Sequence, residues 1–253
     1  MTCPLEHEHK ISRETAKPRF VEQEQSKSRK YPHRRTIEIS GRDYVIRFRR
    51  SRWSEMGSTD TRSRKLFAWV SREGVQVAAL EFHEFEVQPW VDNQELLLSF
   101  DDEASLAGQL AELMVEGWEW PATDVMGYGN VVELRYVWTA YSAAAAGMWA
   151  TVANMLVDDQ FPEYALMALK AFPLEYEGSA AEGSRAHVGL RRRQLAMLRH
   201  YHKLLGVKPF PSRQQASFWM FKINPRSRAL IDEPFPHRER LEDGHAEGDR
   251  GTL

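Results

Sequence analysis

Residues 130–156 read NVVELRYVWTAYSAAAAGMWATVANML, and the way this stretch divides into elements decides how the rest of the chain is read. VVELRYVWTAY, from Val131 to Tyr141, is β-branched and aromatic and is expected as a strand, the strongest in the protein. GMWATVANMLVDD, from Gly147, is expected as a helix. Between them lies AYSAAAAGMW, Ala140 to Trp149, four alanines and a glycine leading into that helix. Such a block is either a loop that cradles an anion or a tight turn where small side chains let a strand and a helix approach.

Working outward from this block, the upstream sequence alternates with period two. In TIEISGRDYVIRFRR, Ile37, Ile39, Tyr44, Ile46 and Phe48 flank Gly41, which predicts a hairpin. KLFAWVSREGVQVAALEFHEF repeats the pattern, with Leu66 to Val70, a turn at Arg72-Glu73-Gly74, and Val75 to Phe85. DDEASLAGQLAELMVEGW then offers Asp101 or Asp102 as N-cap and an apolar stripe of Leu106, Leu110, Leu113 and Met114, so one helix is expected to end near Gly117.

Downstream, YALMALKAF (Tyr164 to Phe172) is a continuous apolar run of strand length, as expected for a strand covered on both faces. LRRRQLAMLRHYHKLLGV carries Leu190, Gln194, Met197, Leu198, Tyr201, Leu204 and Leu205 on one helical face and stops at Gly206. SFWMFKI is a last strand. The order is several antiparallel strands, a helix, then strand, helix, strand, helix, strand. It predicts an α+β (mixed α/β) fold, a single domain over 36–231 with a mostly antiparallel central sheet flanked by helices.

The ends differ from this core. Residues 1–35 and 232–253 are polar and charge-rich without a sustained period, so they bury too little apolar surface to offset their ordering entropy and are expected as a flexible arm and tail. In the chain of 253 residues, 34 Lys and Arg stand against 36 Asp and Glu, which argues against nucleic acid as a partner despite the basic stretch KSRKYPHRR. The one cysteine, Cys3, fits a reducing compartment. No run reaches the ~18 apolar residues of a membrane span, and the first thirty residues lack the apolar centre of a signal peptide, so no membrane contact and a cytoplasmic location are expected.

LKAFPLEYEG (169–178), RRRQLAMLRHYHKLLGVKPFP (191–211) and FWMFKI (218–223) together resemble the C-terminal half of members of the GNAT superfamily, the N-acetyltransferases that use acetyl-coenzyme A (acetyl-CoA). In that family a buried strand ends in a proline-bearing turn, a basic helix ends in a Tyr-x-x-Leu-Gly type signature, and a hydrophobic strand finishes the sheet. Here the helix end reads Tyr201-His202-Lys203-Leu204-Leu205-Gly206, one residue longer. The resemblance spans Thr36 to Ile223 by element order and Tyr136 to Ile223 by motif.

The resemblance implies a fold, a cosubstrate and roles. It places the pyrophosphate of acetyl-CoA at AYSAAAAGMW, on the main-chain amides of Ala144, Ala145, Ala146, Gly147 and Met148, where a helix N-terminus favours an anion. Of the family's loop pattern Gly147 matches, while Ala144 replaces a Gln or Arg and Trp149 replaces a Gly or Ala. Backbone amides survive any side-chain change, so the loop reading stands beside the tight-turn reading. The resemblance further implies that strand amides near Val137, Trp138 and Thr139 polarise the thioester, and that Tyr201 protonates the departing thiolate. A phenol with an ordinary pKa of about 10 suits that task.

Glu133, on the strand before the alanine block, is the family-like general base, with Glu81 and His83 as rivals. Strand alternation sets Glu81 and His83 on one face and Glu84 on the other, and a half-exposed sheet would turn such residues to solvent. The implied acceptor is an amine on a small molecule or a protein. The alternative is a non-catalytic GNAT-like scaffold that keeps the fold and has lost acetyl-CoA chemistry. His7 with His9, and His200 with His202, do not have the setting or helical spacing of metal ligands, so no metal is expected.

Overall fold

Period-two apolar spacing produces the hairpins expected of it. The computed structural model describes residues 33–103, 105–116, 125–140, 147–171, 185–210 and 218–227. β1 (His33–Ile39) and β2 (Arg42–Arg50) pair around Ser40-Gly41, and β4 (Ser58–Arg72) and β5 (Val75–Val87) pair around Glu73-Gly74, all four turn residues having positive φ as a tight hairpin turn requires. β1 begins at His33, so Arg34 and Arg35 belong to the sheet. A short β3 (Ser54–Met56), unforeseen in the sequence, folds back on β4.

Two helices follow where one was expected. They are α1 (Asn93–Glu103) and α2 (Ser105–Glu116). Asp101 and Asp102 are therefore not N-caps but lie in the last turn of α1. The cap is Asp92, whose carboxylate accepts the Glu95 amide at 2.8 Å. NQELLLSF carries its own apolar positions, and Leu96 and Phe100 bury against the sheet, so the first helix starts before the acidic pair that mimics a cap.

The remaining elements are β6 (Asn130–Thr139), α3 (Met148–Gln160), β7 (Tyr164–Lys170), α4 (Arg185–Leu205), β8 (Lys208–Pro209) and β9 (Trp219–Ile223). Among the described residues nine strands join one sheet in the order β1-β2-β4-β5-β6-β7-β9-β8, with β3 on β4, and every pairing there is antiparallel except β6 with β7. The chain is a mixed α/β protein built on a large, mostly antiparallel open sheet.

The sheet has a core on each face. Ile46, Leu66, Leu80, Phe82, Val132, Leu134 and Met167 pack beneath Met148, Val152 and Leu156 of α3 and Leu205 of α4. On the other face Phe85, Val131, Leu166 and Ala168 pack beneath Leu96 and Phe100 of α1 and Leu110 and Met114 of α2. The Phe85 and Phe100 rings stack at 4.5 Å and fix α1 over β5. β7 lies between both cores, which explains its unbroken apolar run.

Gly129 sets where β6 meets β7. Its φ is +146°, and a Cβ there would sit 2.0 Å from the Glu163 carbonyl oxygen, the acceptor of the Asn130 amide. Gly129→Ala is expected to cost about 2–4 kcal/mol through strain and overpacking. Urea unfolding of the variant checks this, and an unchanged midpoint would contradict the tight approach.

Candidate functional site

The parallel pair is short. β6 and β7 register from Asn130↔Tyr164 to Glu133↔Ala168, and then they part. β6 continues to Thr139 paired with β5, while Leu169 and Lys170 of β7 pair only with β9. The cause lies two residues beyond Glu133. Glu81 pairs with Tyr136 but Phe82 pairs with Leu134, so Arg135 is an extra residue on β6, a bulge that bends the strand and increases its twist.

Past the bulge, one edge of β6 has no strand partner among the described residues. The Ala140 amide donates to Val77 O at 2.9 Å, so Ala140 uses its backbone groups toward β5. Alternation along an antiparallel strand gives Trp138 the same direction and turns the amides of Val137 and Thr139 the other way, toward the gap. Two of the three strand amides implied by the resemblance thus point away from β5, on the edge that has no strand partner among the described residues; that of Trp138 is spent on β5.

Glu133 stands at the vertex of this gap, on the face covered by α1 and α2. Cross-strand register aligns Lys65, His83, Glu133 and Ala168 in one row, with Phe67, Glu81 and Tyr136 in the next. Glu81, His83 and Glu133 are buried, and Glu84 is buried on the opposite face against Arg64 and Asn130. The expectation that these residues face solvent is therefore corrected. The α1–α2 pair covers this face, and period two in a strand cannot reveal what lies above it.

Burial sets the electrostatics. Glu133, 1% exposed, is pushed up to about 7 by desolvation, against the pull of Arg135 and with a further push from Glu81. Desolvation likewise raises Glu81 and lowers His83. His83 Nε2 lies 3.1 Å from Glu103 Oε1, although neither ring nitrogen makes an aligned hydrogen bond among the described residues. The imidazole beside it, with help from Lys65, holds Glu103 at about 2 despite its own partial burial. Glu133 Oε2 and Arg135 Nε are also buried without a hydrogen-bond partner among the described residues. Buried polar atoms are seldom left so, and several in one cluster mark a place where small molecules or water are met.

On the other face, Gly147 caps α3 in the left-handed region (φ +63°) with no side-chain acceptor. Its carbonyl accepts the amides of Ala150 and Thr151, while the amides of Met148 and Trp149 have no acceptor within the helix. Ala144, Ala145 and Ala146 lie outside the described residues. The Trp149 indole does not project into solvent; it is buried, edge-on to Tyr201 of α4 at 5.4 Å and near His200 at 6.1 Å. Tyr201 is half-buried and packs on the same core as Trp149.

Four contributors were not foreseen: Lys65, Glu103, Arg135 and Lys170. Lys170 sits across the gap from β6, donates to Gln109 Oε1 at 2.6 Å, and has its pKa lowered by desolvation while Glu133 raises it. The sole signal for Lys65 would have been its register with His83, which a sequence without its pairing does not display, and Glu103 reaches His83 from α1, a tertiary contact with no local signal. A concavity of about 390 Å3 between β1, β2 and α3, lined in part by Phe48, Met155 and Asp159, opens on the opposite face from Glu133.

Comparison of the chain with protein-family models, with curated proteins and with solved structures finds no match. Among the described residues no helix is long and apolar enough to cross a membrane, and no cluster of three His, Cys, Asp or Glu is placed to hold a metal ion.

Proposed function

We propose that the protein is an acetyl-CoA-dependent N-acetyltransferase that moves an acetyl group to an amine by direct attack. The supporting observation is that β6 and β7 part just beyond Glu133, beside a buried carboxyl whose pKa is raised to about 7. The family resemblance assigns acetyl-CoA to this splay. There the Val137 and Thr139 amides donate to the thioester carbonyl, worth several kcal/mol where water is excluded. Glu133 accepts the proton of the attacking amine, and Tyr201, approaching from the opposite face of the sheet, returns one to sulfur. The amine arrives on the α1–α2 face, where Phe67 and Trp138 pack around Trp69 and Ala79 beside Glu81.

A second reading, the non-catalytic scaffold, is favoured by the contact of Trp149 with Tyr201, which engages the proposed acid in aromatic packing. Titrating acetyl-CoA against thermal unfolding separates the two. At 100 times Kd the enzyme gains about 2.7 kcal/mol, which for a domain of this size is roughly 5–10 °C. No shift at millimolar cofactor supports the scaffold. If the enzyme reading holds, Tyr201→Phe is expected to lower kcat about tenfold or more with cofactor affinity unchanged. Equal turnover in that variant would make Tyr201 a packing residue.

A further inference from the structure

We propose that β1 is a self-association edge: a second copy of the chain lays its own β1 antiparallel beside it, with the twofold axis at Thr36. β1 ends the sheet, and among the described residues its one strand neighbour is β2. It is seven residues long and exposed at His33, Arg34, Arg35, Thr36 and Glu38, whereas β8, at the other end of the strand order, has two residues. Such an edge presents backbone N–H and C=O groups that another strand can meet.

The hairpin turn fixes which groups point outward. Only Ser40 and Gly41 separate Ile39 from Arg42, so those two close the hairpin as a hydrogen-bonded pair. Alternation then directs the backbone groups of Ile37, Arg35 and His33 at β2, and those of Glu38, Thr36 and Arg34 away from it. In an antiparallel partner, outward residues meet outward residues. With the axis at Thr36, Arg34 lies opposite the partner's Glu38, Thr36 opposite the partner's Thr36, and Glu38 opposite the partner's Arg34, so the whole strand pairs.

Charge selects this register among those the backbone allows. Arg34 and Glu38 are exposed on the face opposite α3, and neither has an ion-pair partner among the described residues. The axis at Thr36 gives each of them an opposite charge. An axis at Arg35 would set that residue against its own copy, like charge on like, and one at Ile37 would leave Arg34 opposite the partner's Ser40, in the turn. Two arginines or two glutamates at positions 34 and 38 would guard the edge instead. On the α3 face the same register lays the partner's Ile39 beside His33, whose ring stacks on Phe48 at 5.1 Å and lines the concavity of about 390 Å3. Ile37 and Ile39, only partly buried in the single chain, gain cover there.

Sedimentation of the full chain over a concentration series tests the edge. Wild type should pass from the mass of one chain to that of two, and the Arg34, Thr36 and Glu38 amides should gain protection from hydrogen exchange as it does. Thr36→Pro removes an outward amide without breaking the β1–β2 ladder, and should leave a folded monomer. Glu38→Arg alone and Arg34→Glu alone should each weaken the dimer about tenfold or more, because like charges replace opposite ones at both symmetry-related pairs. Mixing these two singly substituted chains restores opposite charges at both pairs, so they should form a heterodimer close to wild-type affinity. Should Thr36→Pro not fold, the charge variants, which alter exposed side chains alone, decide. A wild type that stays monomeric into the millimolar range, a dimer that survives Thr36→Pro, or charge variants that mixing does not rescue would overturn the proposal.

Discussion

Glu133→Gln is expected to lose at least about 100-fold in turnover while gaining stability, a combination that few substitutions give. The loss follows from removing the group proposed to accept the amine proton. Cofactor affinity should hold, since the amide shares the shape of the carboxyl. In wild type, kcat/KM should climb with pH and level off above about 7, the value to which burial pushes Glu133.

The stability gain follows from the same displacement. The folded-state pKa is raised from 4.5 to about 7. Below pH 4.5 the carboxyl is protonated in both folded and unfolded chains, and its contribution to stability is fully present. Between 4.5 and 7 the unfolded chain ionises while the folded one keeps its proton, so stability falls, and above about 7 the loss is complete. At 1.36 kcal/mol per unit that loss amounts to about 3 kcal/mol. Gln stays neutral throughout. Denaturant titrations at pH 4 and pH 8 should therefore show equal stability at pH 4 and a more stable variant at pH 8. A variant that is active, or weaker at pH 8, would remove Glu133 from the centre of the mechanism.

Gly147→Asp should cut acetyl-CoA affinity by about 100-fold or more, equivalent to about 2.7 kcal/mol. Aspartate tolerates the left-handed backbone of Gly147 better than most residues, and a Cβ there meets only Leu204 methyls at 3.6 and 3.7 Å, so the fold survives. As N-cap of α3 the new carboxylate even suits the helix. It occupies the field that would otherwise attract pyrophosphate, and two like charges at about 4 Å repel by roughly 4 kcal/mol at the effective dielectric of a protein surface. Calorimetric titration reads the change. Affinity within about threefold of wild type would place the phosphates elsewhere.

Most of the scaffold was legible because short-range physics writes it. Alternating apolar residues specified the β1–β2 and β4–β5 hairpins, and the unbroken run of β7 announced a strand with cover on both sides. The Asp101–Asp102 pair misled because capping chemistry is local and ambiguous: the same carboxylates suit the start of one helix and tolerate the end of another. β3 and β8 were missed because, at three and two residues, they are too short to show a period.

The site was legible only as residue names. The sequence alone determined that Glu81 and His83 share a strand face, that Glu133 precedes a small-residue turn, and that Gly147 opens a helix. Only the tertiary structure decided that these groups are buried, that Arg135 is a bulge which parts β6 from β7, and that Glu103 reaches His83 from the helix laid over that face of the sheet. The physical reason is that periodicity records which residues leave a strand together, whereas burial, pKa and proton access depend on what another segment lays over them.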